Sequence, residues 1–497
     1  MSTPEGKRAC VIGAGFGGLA LAVRLQAAGV ATTLVEARDE PGGSAQSWQR
    51  DGFTFDGGPG AIVDPASLQA LWELTGHAMA DDVELLPVTP FCRYGWPDGT
   101  QLDWSNDPAA LRNEIARLAP GDVAGYVGFL DYASAARQEA AVLSALPLLR
   151  LSDMLRAAPA LAPHKPWRSL HQVAGTFVRH DKLRQALSFP VLAIGGNPLT
   201  ASAMHAAIHK LTHEGGMWWP RGGTHRLAAA LLRQFERLGG AVRLGDPAVR
   251  IETIGTRASE VVARSGWRGA FDAVASGADP VHTYRALLGE TLRGQRMAKT
   301  WSRKRFGPGV FAVHFAVEGS WPGIPHRSVL FGPRYEGWLE DVFDHGVLPA
   351  DMAIALHHPS VTDPSLAPDG ASVFAAVVPV ANQGRLTIDW RQVGPVLEKR
   401  VLDEVGRRLI PDIHDRIVAC FHRTPRDQAL DFNAHLGSAF GLEPCPTQSG
   451  ALRVPHRDAV IGNLYMVGAS THPGGGIPGV LAGAKLAAEL MLEDLSQ

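Results

Sequence analysis

The pattern Gly13-Ala14-Gly15-Phe16-Gly17-Gly18 lies between an apolar run, residues 8–12, and a helix-like stretch, residues 19–28. No other feature constrains the fold as much. A glycine turn that joins a buried strand to a helix is the phosphate-binding corner of a β-α-β unit. Gly13 permits the tight turn, Gly15 leaves the backbone open to a pyrophosphate, and Gly18 lets helix and strand approach. Ala14 and Gly17 complete the turn, beside the free N–H groups and partial positive charge of a helix start. Gly29 closes the helix. Residues 31–36 read as the second strand, and Glu36 ends it where a carboxylate accepts from adenosine ribose hydroxyls. Glycine turns open many helices, so the weight rests on the strand, helix, second strand and Glu36 standing in register.

That corner binds FAD or NAD equally well, and two further segments favour FAD. A second glycine pair, Gly42-Gly43, follows Glu36 closely, with Ser44 beside it. Near the other end, residues 464–467 form a short strand that runs through Gly468 into Ser470-Thr471-His472-Pro473. Gly474-Gly475-Gly476-Ile477-Pro478-Gly479-Val480 then opens a helix over 478–495. Such a turn offers N–H groups to the pyrimidine edge of a flavin, which gains negative charge on reduction. A packing role for that turn is the plain alternative. No second GxGxxG of good context exists for NAD(P)H.

The 497 residues exceed one compact core and imply two or three domains. Residues 108–210 are mainly helical, strands are expected over 241–244, 248–254, 260–264, 271–276, 310–317 and 373–380, and residues 391–409 return to helix. Strands near both ends suit one sheet. The expected class is α/β, a discontinuous Rossmann-type FAD domain with an inserted α+β substrate domain and a helical portion. The expected pieces are 1–105, 216–280 and 441–497 for the FAD domain, 106–215 for the helical portion and 281–440 for the substrate domain. A net charge of −2 gives no reason to expect nucleic acid. Cys10, Cys92, Cys420 and Cys445 have no metal-site or disulfide spacing, so no metal is expected and the location read is the cytoplasm. The start lacks a signal-peptide core, and no apolar run reaches the ~18 residues that cross a bilayer.

Several stretches together resemble the bacterial-type phytoene desaturases over nearly the whole chain: residues 11–39, 183–198 (LRQALSFPVLAIGGNP), 215–224 (GGMWWPRGGT), 281–284, 330–335, 433–443 and 463–480 (NLYMVGASTHPGGGIPGV). The resemblance implies an amine-oxidase-like fold, FAD as sole redox cofactor, and a C40 polyene substrate. It also implies a helical part that touches a membrane. Carried over residue by residue, the cofactor site comprises Gly13, Gly15, Gly18, Glu36, Gly42 and Gly43. Val249 joins these through a backbone contact to adenine, with Gly222-Gly223-Thr224, Gly468 and residues 474–480 near the flavin. Departures are Ser44 for an Arg, Gly57 and Gly60 for Ala and Thr, Gly277 for Asn, and Pro190 for His. An Arg lost beside a pyrophosphate removes a charge-assisted bond of about 1.5–3 kcal/mol.

The implied reaction takes a hydride and a proton from adjacent carbons of a hydrocarbon in carotenoid biosynthesis, with flavin N5 accepting the hydride. Glu139, Glu340, Asp341 and His472 are candidate proton acceptors, each set against a surface or capping role. The electron acceptor is oxygen or a quinone. Residues 140–170 mix leucines with Arg150, Arg156, Lys165, Trp167 and Arg168, the make-up of an interfacial helix, so peripheral attachment to the inner face of the cell membrane is expected. A core-packed amphipathic helix is the alternative. Trp218-Trp219 suits either a tunnel wall or a core. A later-step carotenoid desaturase, a carotenoid isomerase and a non-catalytic polyene binder remain as other readings.

Overall fold

The apolar run Arg8–Ile12 becomes the central strand of a five-stranded parallel sheet in the computed structural model, which describes residues 6–497. The order is Leu464–Met466, Ala273–Ser276, Arg8–Ile12, Ala31–Val35, Ala241–Arg243, so three distant segments supply one sheet. Central strands covered on both faces read as continuous apolar runs, as these do. Helices Phe16–Ala27, Thr224–Arg237 and Ile477–Leu495 pack together against the sheet, with one apolar core between them. Residues 41–65 hold a hairpin of Ser47–Arg50 and Phe53–Asp56.

The second large core lies under a seven-stranded sheet. Its order is Ile417–Arg423, Gly309–Glu318, Ala371–Val380, Ile354–His357, Arg327–Leu330, Cys92–Gly95, Gln101–Trp104. All neighbours are antiparallel except Arg327–Leu330 with Cys92–Gly95. The expected boundary at residue 105 is therefore misplaced. The last two strands before it hydrogen-bond into the substrate sheet, because their edge pairing is satisfied there and not in the nucleotide sheet.

The helical portion comprises Pro108–Leu118, Val123–Ser144, Leu151–Leu161, Leu170–Phe177, Asp181–Ser188 and Ala207–Gly215. Most of these bury a face against the seven-stranded sheet's core. Leu151–Leu161 buries no residue at all. Among the described residues no helix is long and apolar enough to cross a membrane.

Candidate active site

The glycine turns of all three segments meet. A β-carbon added at Gly17 would lie 3.5 Å from Gly468 Cα, and one at Gly13 would lie 3.6 Å from the Gly277 carbonyl carbon. Gly42 N donates to the Ala14 carbonyl at 2.8 Å, laying the second glycine pair against the first turn. Glu36 binds this corner together: its Oε2 accepts from Ala14 N at 2.6 Å and its Oε1 from Arg38 N at 3.0 Å. Helices Phe16–Ala27 and Ile477–Leu495 both begin at glycines, Gly15 and Gly476, that supply no side-chain cap. Two uncapped helix starts thus offer N–H donors and partial positive charge to one cavity.

That cavity measures about 1190 Å³, beyond the ~300–1,000 Å³ of a drug-sized site. Gly13, Gly15, Gly17, Gly18, Glu36, Gly42, Gly43 and Ser44 line one end, with Gly468, Gly476, Ile477, Pro478 and Val480. Ala14 is buried behind this wall. The crowding tests the fit of a dinucleotide. A β-carbon on Gly43 would stand 3.2 Å from Gly15 Cα and one on Gly18 only 1.9 Å from the Gly13 carbonyl oxygen. Backbone alone fits here, as close approach to a pyrophosphate requires. FAD fits this set of donors, which Glu36 and the turn 468–480 line together.

The seven-stranded sheet floors the other end in rows of cross-strand neighbours. Val329, Ala355, Val377 and Ala312 form one row, all lining the cavity, and small side chains keep it open and apolar. The next row is polar: Arg327, His357, Ala375 and His314. Burial, with Arg327 and His314 nearby, holds His357 down at about 3. Burial also lowers His314 to about 4, so both imidazoles are neutral near pH 7. Trp219 lines the cavity and packs on His326, whereas Trp218 does not line it.

At three departures from the expected motifs an added β-carbon would be crowded. Added β-carbons would lie 2.7 Å from the Trp48 ring at Gly57 and 2.0 Å from His357 Cε1 at Gly60. At Gly277 the approach is 3.2 Å to the Ile12 carbonyl oxygen. Beside Ser44, Arg38 Nη1 donates to the Gly43 carbonyl at 2.6 Å, bringing a cation to the phosphate loop that sequence reasoning had passed over.

Eight further anticipated residues do not line the cavity. Arg137, Ala140, Ala141 and Ser144 share the cavity face of their helix at i, i+3, i+4 and i+7, which turns Glu139 off it. Asp341 pairs with Arg334 at 2.9 Å, which lowers its pKa, and it does not line the cavity. Its neighbour Glu340 is exposed. Val249 is 41% exposed, its side chain turned away from the cavity that Ala248 lines, whereas the contact expected of it is through backbone. His472 fastens the C-terminal turn, its Nε2 donating to the Leu143 carbonyl at 2.9 Å, and burial lowers it to about 4. Gly222, Gly223 and Thr224 stand behind Asp56, whose Oδ2 accepts from Thr224 N at 2.6 Å. Asp279, also not anticipated, lines the cavity and is raised to about 6 by burial.

The model of the flavin containing amine oxidoreductases matches residues 16–492. A protein named phytoene desaturase (lycopene-forming) from a Paracoccus sp. is 46% identical over 495 residues, 99% of either chain. The chain belongs to the phytoene desaturases of that family. A second relative of the same name, from Pantoea ananas, is 43% identical, over 98% of this chain and all of its own. Among solved structures, cyclohexylamine oxidase from Brevibacterium oxydans superposes with a TM-score of 0.63 over 99% of this chain and all of its own. At 18% identity it shows a shared fold alone. The membership makes the chain an FAD oxidoreductase acting on CH–CH bonds.

Proposed function

We propose that this phytoene desaturase homologue introduces double bonds into a C40 polyene such as phytoene, with lycopene as the end product. The observation that carries the reading is one cavity that runs from a glycine cradle onto an apolar floor. Relatives at 43–46% identity are named lycopene-forming, which supports the product. FAD bound in the cradle supplies a hydride acceptor for a carbon that has no activating group. The chain's own part is alignment and exclusion of water. Val329, Ala355, Val377 and Ala312 present a flat apolar surface along which an extended polyene lies, and Phe189, Leu192 and Ile208 wall it from the helical side. Alignment of this kind is a large part of the rate when the substrate offers no polar handle.

The polyene enters from lipid. Ala140, Ala141, Ser144 and Ala145 line the cavity and lead directly to Val142, Leu146, Leu151, Leu155 and Trp167, all exposed. Arg150, Arg156 and Lys165 flank them, as at a membrane surface. Attachment to the inner face of the cell membrane follows from this reading. Turnover draws on oxygen or a quinone, and aerobic vesicles compared with anaerobic, quinone-loaded ones separate the two. The deciding experiment supplies phytoene in liposomes with FAD and follows absorbance as conjugation lengthens. Unchanged phytoene on enzyme that holds FAD would overturn the proposal.

A further inference from the structure

We infer that Arg453 is a charge-tuning residue, whose buried guanidinium raises the reduction potential of the flavin held against the turn 468–476. The inference rests on FAD occupying the cradle, and not on the identity of the carotenoid. Arg453 is 3% exposed and is the only Arg or Lys classed as buried among the described residues. It forms no ion pair there. Its bonds go to three carbonyls: Nε to Thr471 at 2.9 Å, Nη2 to Ala469 at 2.5 Å and to Leu442 at 3.3 Å.

Ala469 and Thr471 line the cavity, and a β-carbon at Gly474 would lie 3.8 Å from Arg453 Cζ. The positive charge therefore sits one peptide layer behind the wall. Burial lowers its pKa to about 10, which leaves it charged at neutral pH. Burying a cation without a carboxylate is costly, and carbonyl oxygens ask only for a neutral donor. The architecture of the turn thus explains the three hydrogen bonds and not the charge.

The reaction explains the charge. Desaturation breaks two C–H bonds and forms one C=C. The hydride carries two electrons to the flavin, the proton leaves to a base or water, and the electron acceptor later removes the electrons. A hydrocarbon has no lone pair to help the hydride depart, so the oxidant must be strong. Reduction places negative charge on the pyrimidine edge, and a fixed cation in a low-dielectric wall favours that form. The uncapped start of Ile477–Leu495 adds partial positive charge on the same side.

The test is the flavin midpoint potential of purified holoenzyme, measured spectroelectrochemically without carotenoid. Arg453→Gln keeps a donor and removes the charge. It is expected to lower the potential by about 30–60 mV, one to two decades in the reduction equilibrium. Arg453→Lys retains the charge and is expected to stay within about a third of a decade, roughly 10 mV, of wild type. The buried Cys445 thiol lies close enough to interact with Arg453. Cys445→Asp leaves the arginine in place, supplies a neutralising carboxylate, and lowers the potential as well. This arm decides if the glutamine variant is isolated without flavin. An unchanged potential in Cys445→Asp or Arg453→Gln, or a fall in Arg453→Lys as large as in Arg453→Gln, overturns the inference. Because no carotenoid is present, either result stands whatever substrate the enzyme proves to use.

Discussion

Gly18 leaves no space for a side chain, since a β-carbon would lie 1.9 Å from the Gly13 carbonyl oxygen. Gly18→Ala must push the helix start off the strand, an overpacking cost of about 1–3 kcal/mol that falls on the phosphate corner. The expected outcome is FAD affinity weakened by roughly 5- to 150-fold, read by fluorescence titration of the apoprotein. Asp279 bears on pH instead. Its carboxyl is raised from 3.8 to about 6 by burial, against the pull of backbone donors at His435, Val281 and His282. Between those values the folded protein binds more protons than the unfolded chain, so stability falls as pH rises through this window. At two units the fall is at most about 3 kcal/mol. Asp279→Asn removes that slope, so the difference in melting temperature between wild type and variant should change between pH 4 and 6. A pH-independent difference would assign Asp279 a packing role only.

The glycine cradle was legible before any coordinates because its requirement is local: backbone must lie open at fixed offsets from a strand end, and only glycine provides that. The strand Ala248–Ile254 falls where the spacing places it, and the helix Ile477–Leu495 starts one residue early. The substrate end was not legible. The row of Arg327, His357, Ala375 and His314 depends on pairing register across four separate strands, and no local pattern encodes it. Glu139 failed for the same reason, since tertiary packing and not composition decides which stripe of Val123–Ser144 faces the cavity. Leu151–Leu161 is the opposite case, a helix with no buried residue. Met154 reaches back, accepting from Ala451 N at 3.3 Å. Replacing Leu151 and Leu155 by Asp removes two leucines that are 58% and 69% exposed and so play little part in the core. Each is worth about 1.5–3 kcal/mol when buried in lipid. Liposome co-sedimentation should fall at least tenfold while the flavin absorbance stays intact. Retained sedimentation would move the membrane contact to another face.

At the scale of the whole chain, the cavity has no wall that belongs to one segment. Residues 13–18, 42–44, 277–280 and 468–480 close one end, and the seven-stranded sheet closes the other. The C-terminal helix is pinned back to the nucleotide sheet by Asp494, which accepts from Tyr465 Oη at 2.5 Å and pairs with Arg457 at 2.6 Å. A ligand held at such a junction binds only when all segments are docked, so its binding energy counts toward the fold of both sheets. FAD at a hundredfold excess over its dissociation constant then adds about 2.7 kcal/mol to the folded state. Scanning calorimetry of the holoenzyme should give one transition, moved up by a few degrees relative to the apoprotein and rising further with FAD concentration. Asp494→Ala frees the last turn of Ile477–Leu495 and should reduce that upward shift, because part of the binding energy is then spent on re-docking the helix. If the holoenzyme instead melted in two steps, and only one responded to FAD, the sheet of residues 309–423 would be folding without reference to the cofactor. The shared cavity would then be a consequence of docking and not its cause.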